Sequence, residues 1–254
     1  MGSYIQMELG VVIPTASRMN KEAMKQRLRA AIAATHGSWL SAFVARTAQA
    51  YLNAYNNLCI WDVELNGELA AFKRIVRQTD GVVIDAGANI GQWANATKPY
   101  LGGKHLHCFE PIPDVFAKLC ANVPEPHITK NNLGLGSELK TIELNYSPTL
   151  SSISSSFPLI HPRKDDRPVQ CRITTGDAYL TEKGIERVSF LKIDVEGMEM
   201  DVLSGFAKAL GEGRIGAVQF EHGPSHIHSG HSLKSFVDFF RPFDLPRVIS
   251  SSCD

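Results

Sequence analysis

Asp85, Glu110, Asp194, Glu221 and His222 are the residues whose types and places suggest shared chemistry. Each stands at or near the end of a short apolar run. Val82-Val83-Ile84-Asp85 leads into Ala86-Gly87-Ala88-Asn89-Ile90-Gly91, an apolar strand that ends in an acid and turns through small residues into a helix. Gly87 permits close backbone approach of a ligand and unusual dihedrals. Glu110 follows the glycine turn by about 20 residues, the spacing of an acid that accepts hydrogen bonds from ribose hydroxyls. Phe190-Leu191-Lys192-Ile193-Asp194-Val195-Glu196-Gly197-Met198-Glu199 is a second apolar run ending in acids. Asp194 reads there as functional, and Glu199 only as a charge favourable to the helix dipole. Asp177, after Thr174-Thr175-Gly176, reads as a helix N-cap.

Open α/β sheets bind ligands beyond the carboxyl ends of their strands. Asp85, Gly87, Asn89, Gly91, Glu110 and Asp194 are therefore the expected cofactor residues, with Asp85 facing the ammonium end of a bound amino acid. A dinucleotide fold would want Gly-x-Gly-x-x-Gly, but here the spacing is Gly87-x-Asn89-x-Gly91, and a pyrophosphate beside Asp85 would be repelled. S-adenosylmethionine has no phosphate and carries a sulfonium cation, so it is the expected cofactor. Methyl transfer from it is an in-line displacement that needs alignment of the nucleophile and, for a hydroxyl, removal of a proton. Asp194, Glu221 and His222 are the expected base and substrate-orienting groups, and His222 has the most suitable ordinary pKa, near ~6.5. Glu221, His222, His226, His228 and His231 crowd one region, but their spacing matches no established ligand pair, and no metal site is assigned.

These residues must be positioned by alternating elements. Strands are predicted over Val82–Asp85, His105–Glu110, His127–Leu133, Thr141–Tyr146, Gln170–Thr174, Val188–Asp194 and Ile215–Glu221. Helices are predicted over Ile90–Tyr100, Pro113–Ala121, Glu199–Leu210 and Leu233–Phe240. The alternation implies βαβ units, a largely parallel Rossmann-like α/β sheet with helices on both faces, and a local antiparallel excursion at Thr141–Tyr146. Residues 147–168, rich in Ser and Pro, read as a loop. After Phe240 there is room for one short strand around Arg247–Ser250, where a seven-stranded methyltransferase sheet would close with a hairpin of two.

Residues 1–56 read as an N-terminal helical appendage to a catalytic domain over 57–254. Two helical runs, Lys21 to Thr35 and a second carrying Leu40, Phe43, Val44, Tyr51 and Leu52, present an apolar stripe. It is expected to bury against the catalytic domain or against a second copy of the chain, giving a homodimer, since a stripe of this size is an aggregation hazard in a monomer.

Composition narrows the class. Lys plus Arg (26) equals Asp plus Glu (26), so no net field recruits nucleic acid or anionic lipid, and neither partner is expected. The expected partner is a small-molecule acceptor. Five scattered cysteines without a CxxC pair argue against a disulfide framework or structural zinc and fit a reducing cytoplasm. No apolar run approaches the length of a membrane span, and Met1-Gly2-Ser3-Tyr4 does not open a signal peptide.

Val83-Ile84-Asp85-Ala86-Gly87-Ala88-Asn89-Ile90-Gly91, Phe109-Glu110-Pro111 and Leu191-Lys192-Ile193-Asp194-Val195-Glu196-Gly197-Met198-Glu199 resemble, in order and spacing, the signature blocks of the FkbM methyltransferases. Gln219-Phe220-Glu221-His222 resembles a fourth block, and the likeness covers roughly residues 57–240. The resemblance implies a class I methyltransferase fold and methylation of a hydroxyl on a polyketide, sugar or other natural product. The rival readings are a non-catalytic module of the same fold that binds a partner, and an NAD-dependent oxidoreductase, which the glycine spacing disfavours.

Overall fold

In the computed structural model the strand Val188–Ile193 is buried at every position, as a continuous apolar run in the middle of a parallel sheet requires. The structure describes residues 21–55, 63–148, 165–222, 229–243 and 248–252. The chain divides into two compact units, Met1–Asn56 and Asn57–Asp254.

The first unit contains α1 (Lys21–Ala34) and α2 (Trp39–Tyr55). Gly37 (φ 92°) turns the chain between them, and the Ser38 hydroxyl accepts from Ser41 N–H at 3.1 Å, capping α2. Leu40, Phe43, Val44, Tyr51 and Leu52, the apolar stripe, are exposed on the surface of this unit.

The second unit begins with α3 (Glu68–Val76), which burial of Leu69, Phe72, Ile75 and Val76 on one face secures. Then follow β1 (Val82–Ala86), α4 (Gln92–Thr97) with a 3₁₀ turn over Lys98–Tyr100, β2 (Leu106–Phe109), α5 (Pro113–Asn122), β3 (Ile128–Asn131), β4 (Gly134–Leu135), β5 (Lys140–Tyr146) and β6 (Arg167–Thr174). The chain continues through α6 (Gly176–Glu182), β7 (Val188–Ile193), α7 (Glu199–Ser204), α8 (Ala207–Gly211), β8 (Val218–His222), α9 (Leu233–Phe240) and β9 (Val248–Ser252). The predicted helix Glu199–Leu210 is thus two helices, broken at Gly205, where a Cβ would lie 2.1 Å from the Gly136 carbonyl oxygen.

Six strands form one sheet in the order β3-β2-β1-β7-β8-β9, with every pair parallel. The chain builds outward from β1 to β3, then crosses back and builds outward from β7 to β9. The reversal lies between β1 and β7, the switch point at which such sheets open a crevice beyond their carboxyl ends. The C-terminal strand begins one residue later than predicted. Among the described residues it closes this edge alone and parallel to β8, in place of a hairpin of two strands.

Alternation along the strands sorts side chains to two faces. Ile84, Phe109, Leu191, Ile193 and Phe220 face a core with Phe206 and Phe236. Val83, Leu106, Cys108 and Phe190 face a second core with Phe72 and Trp93, where Phe72 meets Phe190 edge-on at 5.2 Å. The expected antiparallel excursion is the β5–β6 hairpin, joined by β4 into a separate three-stranded sheet. Its Leu144, Tyr146 and Cys171 pack with Ile112 and Val115 of the turn after β2 and of α5. Ile90 of the glycine turn and Met198 beyond β7 lie against the same cluster, so the hairpin flanks the carboxyl edge of the main sheet. Residues 149–164 of the predicted Ser- and Pro-rich loop lie outside the described residues.

Candidate active site

Parallel register brings the acids of the sequence to one edge. Asp85 is level with Cys108 of β2 on one side and Lys192 of β7 on the other. Lys192 is level with Gln219 and Ile193 with Phe220, which sets Asp194 beside Glu221. By alternation Asp85, Lys192, Asp194 and Glu221 share the sheet face that carries Trp93 and α3.

The turn after β1 is held by backbone. Gly87 N–H and Ala88 N–H both donate to the Phe109 carbonyl, at 3.1 and 2.9 Å. Gly87, Asn89 and Gly91 all adopt positive φ, at 85°, 48° and 88°. Gly87 has the unusual dihedral expected of it, and a Cβ there would fall 1.8 Å from the Asp194 carbonyl oxygen just beyond β7, so close packing at this turn also requires glycine. At Gly91 a Cβ would meet Val123 at 2.4 Å and Leu119 at 2.9 Å, so this residue serves packing against α5.

Glu110 closes the same half-site. One carboxylate oxygen accepts from Asn89 N–H at 3.1 Å and the other from Ile112 N–H at 2.9 Å. A carboxylate has about four lone-pair sites, so these two bonds orient it while leaving acceptor capacity for two hydroxyls. Burial pushes its pKa up to about 7 against the pull of those two N–H donors.

Asp85 is fully buried, among the described residues neither of its oxygens has a hydrogen-bond partner, and the Lys192 ammonium lies 3.8 Å away. Burial raises Asp85 to about 6, with Lys192 opposing the rise and Asp194 and Glu68 adding to it.

Lys192 is the member of the site that sequence reasoning passed over. Its ammonium donates to Asp194 at 2.9 Å and lies 5.8 Å from the centre of the Trp93 ring. Burial works against its charge, but Asp194, Asp85 and Glu68 together hold it protonated, well above the ordinary lysine value. The signal was present: a lysine in a strand buried on both faces needs buried acids, and two stand at neighbouring strand ends.

Asp194 and Glu221 are hydrogen-bonded to each other. Burial disfavours charge on both. The Lys192 ammonium and the bond from Glu221 nevertheless hold Asp194 below the ordinary carboxylate range. Burial and the neighbouring Asp194 charge push Glu221 well up. Two acids this close compete for one proton, so the pair titrates as a unit. Asp194 keeps 35% of its side chain exposed, so its carboxylate faces the crevice.

Glu199 does more than the expected service to a helix dipole. It is buried, and one oxygen accepts from Val195 N–H at 3.2 Å and Gly197 N–H at 3.1 Å, fixing the turn that presents Asp194. Asp177 does cap a helix, but not its own. Thr175 caps α6, while Asp177 accepts from Lys208 and Ala209 N–H, both at 2.9 Å, at the start of α8. His222 ends β8; its side chain, and His226 and His228, lie outside the described residues. Among the described residues no three His, Cys, Asp or Glu side chains gather into a metal site.

An open parallel sheet with two acid-bearing half-sites at its switch point belongs to the Rossmann-like α/β class. Within that class, the family model of the methyltransferase FkbM domain matches residues 85–242, and the chain belongs to this family. Among its relatives is a protein of Beauveria bassiana named methyltransferase 1. It is 28% identical across 50% of this chain and 58% of that protein. The hexuronic acid methyltransferase AglP of Haloferax volcanii is 26% identical across 59% of this chain and 62% of its own length. The 2-O-methyltransferase NoeI of Sinorhizobium fredii is 22% identical across 67% and 75%. The chain thus spans about three fifths of the first two relatives.

Proposed function

We propose that this chain is an S-adenosylmethionine-dependent methyltransferase that methylates a hydroxyl of a sugar or other small natural product. The observation that carries this reading is the juxtaposition of Asp194 and Glu221 at neighbouring strand ends, with the buried Lys192 ammonium donating to Asp194 at 2.9 Å. The relatives named for methylation of a hexuronic acid and for 2-O-methylation support the acceptor class.

The residues fit the cofactor. Glu110 is oriented by two backbone donors and keeps acceptor capacity for the ribose hydroxyls, and the 87–91 turn beside it supplies a tight, side-chain-poor wall. When bound, S-adenosylmethionine supplies an electrophilic methyl group on sulfur. Glu110 and the turn would hold its nucleoside. Asp194 would accept a hydrogen bond from the acceptor hydroxyl, aligning the oxygen for attack. The Asp194–Glu221 pair would take the hydroxyl proton as the acceptor oxygen displaces the sulfur from the methyl group, and Lys192 would steady the carboxylate until then. His222, next in sequence to Glu221, is a second group for that proton.

Calorimetric titration with S-adenosylmethionine and with NAD, followed by product assay against hydroxylated sugars and polyketides, tests the reading. Binding of S-adenosylmethionine and methyl transfer to an acceptor oxygen are expected. NAD binding in its place would overturn it, and binding without transfer to any acceptor would favour the non-catalytic module.

A further inference from the structure

The even charge of the whole chain hides an uneven distribution. Residues 1–56 contain six Lys and Arg against two acids, Glu8 and Glu22, so the remaining residues carry the balancing negative charge. Within α1 and α2 the cations are Lys21, Lys25, Arg27, Arg29 and Arg46, and Glu22 is the only acid.

Both helices are amphipathic and without a core of their own. Met24, Leu28 and Ile32 line one side of α1, each between 59% and 66% exposed. At 3.6 residues per turn, Lys25 and Arg29 run along one edge of this stripe and Arg27 along the other. On α2 the apolar side carries Leu40, Phe43, Val44, Tyr51, Leu52 and Tyr55, with Trp39, 80% exposed, at its start. Isolated helices of 14 and 17 residues are marginal in water, so their stability must come from whatever covers these faces.

We propose that the N-terminal unit binds the surface of an anionic phospholipid bilayer, with α1 and α2 lying in the headgroup layer. Three observations select this occupant. The apolar faces carry Trp39, Tyr51 and Tyr55, aromatic residues with a polar atom that suit the boundary between acyl chains and headgroups. Cations edging an apolar stripe can extend their stems along it and place their charge among lipid phosphates. A second copy of this unit would instead set cation-rich edges against cation-rich edges, with two acids per unit to offset six cations. Among the described residues no helix is long and apolar enough to cross a membrane, so the unit lies on the bilayer. The zero net charge of the whole chain does not describe this unit, in which six cations face two acids. The proposal does not depend on the reaction at Asp194 and Glu221.

The test is flotation of the full chain with vesicles of phosphatidylcholine alone and of phosphatidylcholine mixed with phosphatidylglycerol. Binding to the mixed vesicles, weakened by salt, is expected, together with a rise in helicity by circular dichroism. Arg27→Glu with Arg29→Glu should weaken partitioning at least about tenfold, from the loss and reversal of two surface charges. Trp39→Ala with Phe43→Ala should weaken it to a similar degree through lost apolar burial, about tenfold or more. All four positions are exposed, and an unchanged thermal unfolding transition shows that each variant is folded. Equal binding to both vesicle types would overturn the proposal. So would absence of vesicle binding, whether the wild-type chain then proves to self-associate through the stripe or to bind nucleic acid instead.

Discussion

The two halves of the crevice are built by different means. At the ends of β1 and β2 backbone groups do the fixing: the Phe109 carbonyl clamps the glycine turn, and two N–H groups aim Glu110. At the ends of β7 and β8 charged side chains do it, with one lysine among three carboxylates. A backbone frame has little freedom and a fixed charge pattern, which suits a group that must be held. A side-chain network can move a proton with small shifts of atoms, which suits a group that must react. The two halves meet where the chain leaves β1 and β7: Asp194 N–H donates to the Ala86 carbonyl at 2.9 Å, and the Asp194 carbonyl oxygen lies 1.8 Å from where Gly87 would carry a Cβ.

The largest effect that would separate the halves comes from Lys192. Lys192→Met should leave buried carboxylates without their cation and lower stability by about 3–5 kcal/mol. The sign with pH follows from Asp85, whose pKa is raised to about 6 and would rise further without the lysine. The folded state then binds a proton more tightly than the unfolded chain, so the defect grows as pH rises through that value and shrinks below it. Urea unfolding across this range reads the effect, and a pH-independent loss would mean that Lys192 acts only by packing.

Asp194→Asn keeps size and removes charge and basicity. Turnover should fall about 100-fold while affinity for S-adenosylmethionine is largely spared, as single-turnover kinetics beside calorimetry would show. An equal loss in both would erase the division between the halves. Glu110→Ala should do the reverse, weakening the cofactor by about 1–3 kcal/mol through lost charge-assisted bonds. Unchanged affinity in a folded variant would remove Glu110 from the ribose.

Much of this frame was legible in the sequence because strand ends and turns are local. The runs ending at Asp85, Glu110 and Asp194 place three acids on one edge as soon as a parallel sheet is granted, and the helix at Leu233–Phe240 matches in both bounds. Depth was not legible. Asp85 reads in sequence as the end of a strand, and only the register with Lys192 shows that it is fully buried 3.8 Å from an ammonium. The roles of Gly87 and Gly91 hinge on which neighbour lies within 3 Å, Asp194 in one case and Val123 in the other, and both are distant in the chain. Leu69, Phe72, Ile75 and Val76 repeat at helical spacing, so α3 is also legible, although it precedes the alternation of strands and helices that starts at residue 82.

Titration of S-adenosylmethionine into the wild-type chain and into Glu110→Gln, over a range of pH on both sides of 7, tests the central claim most directly. Burial holds the Glu110 pKa near 7, and ribose hydroxyls donate best to its charged form. Affinity of the wild type should therefore strengthen as pH rises through about 7, with a proton released on binding, while Glu110→Gln binds more weakly and without that dependence. The same affinity and the same pH profile in both proteins, or no binding by the wild type, would contradict the account.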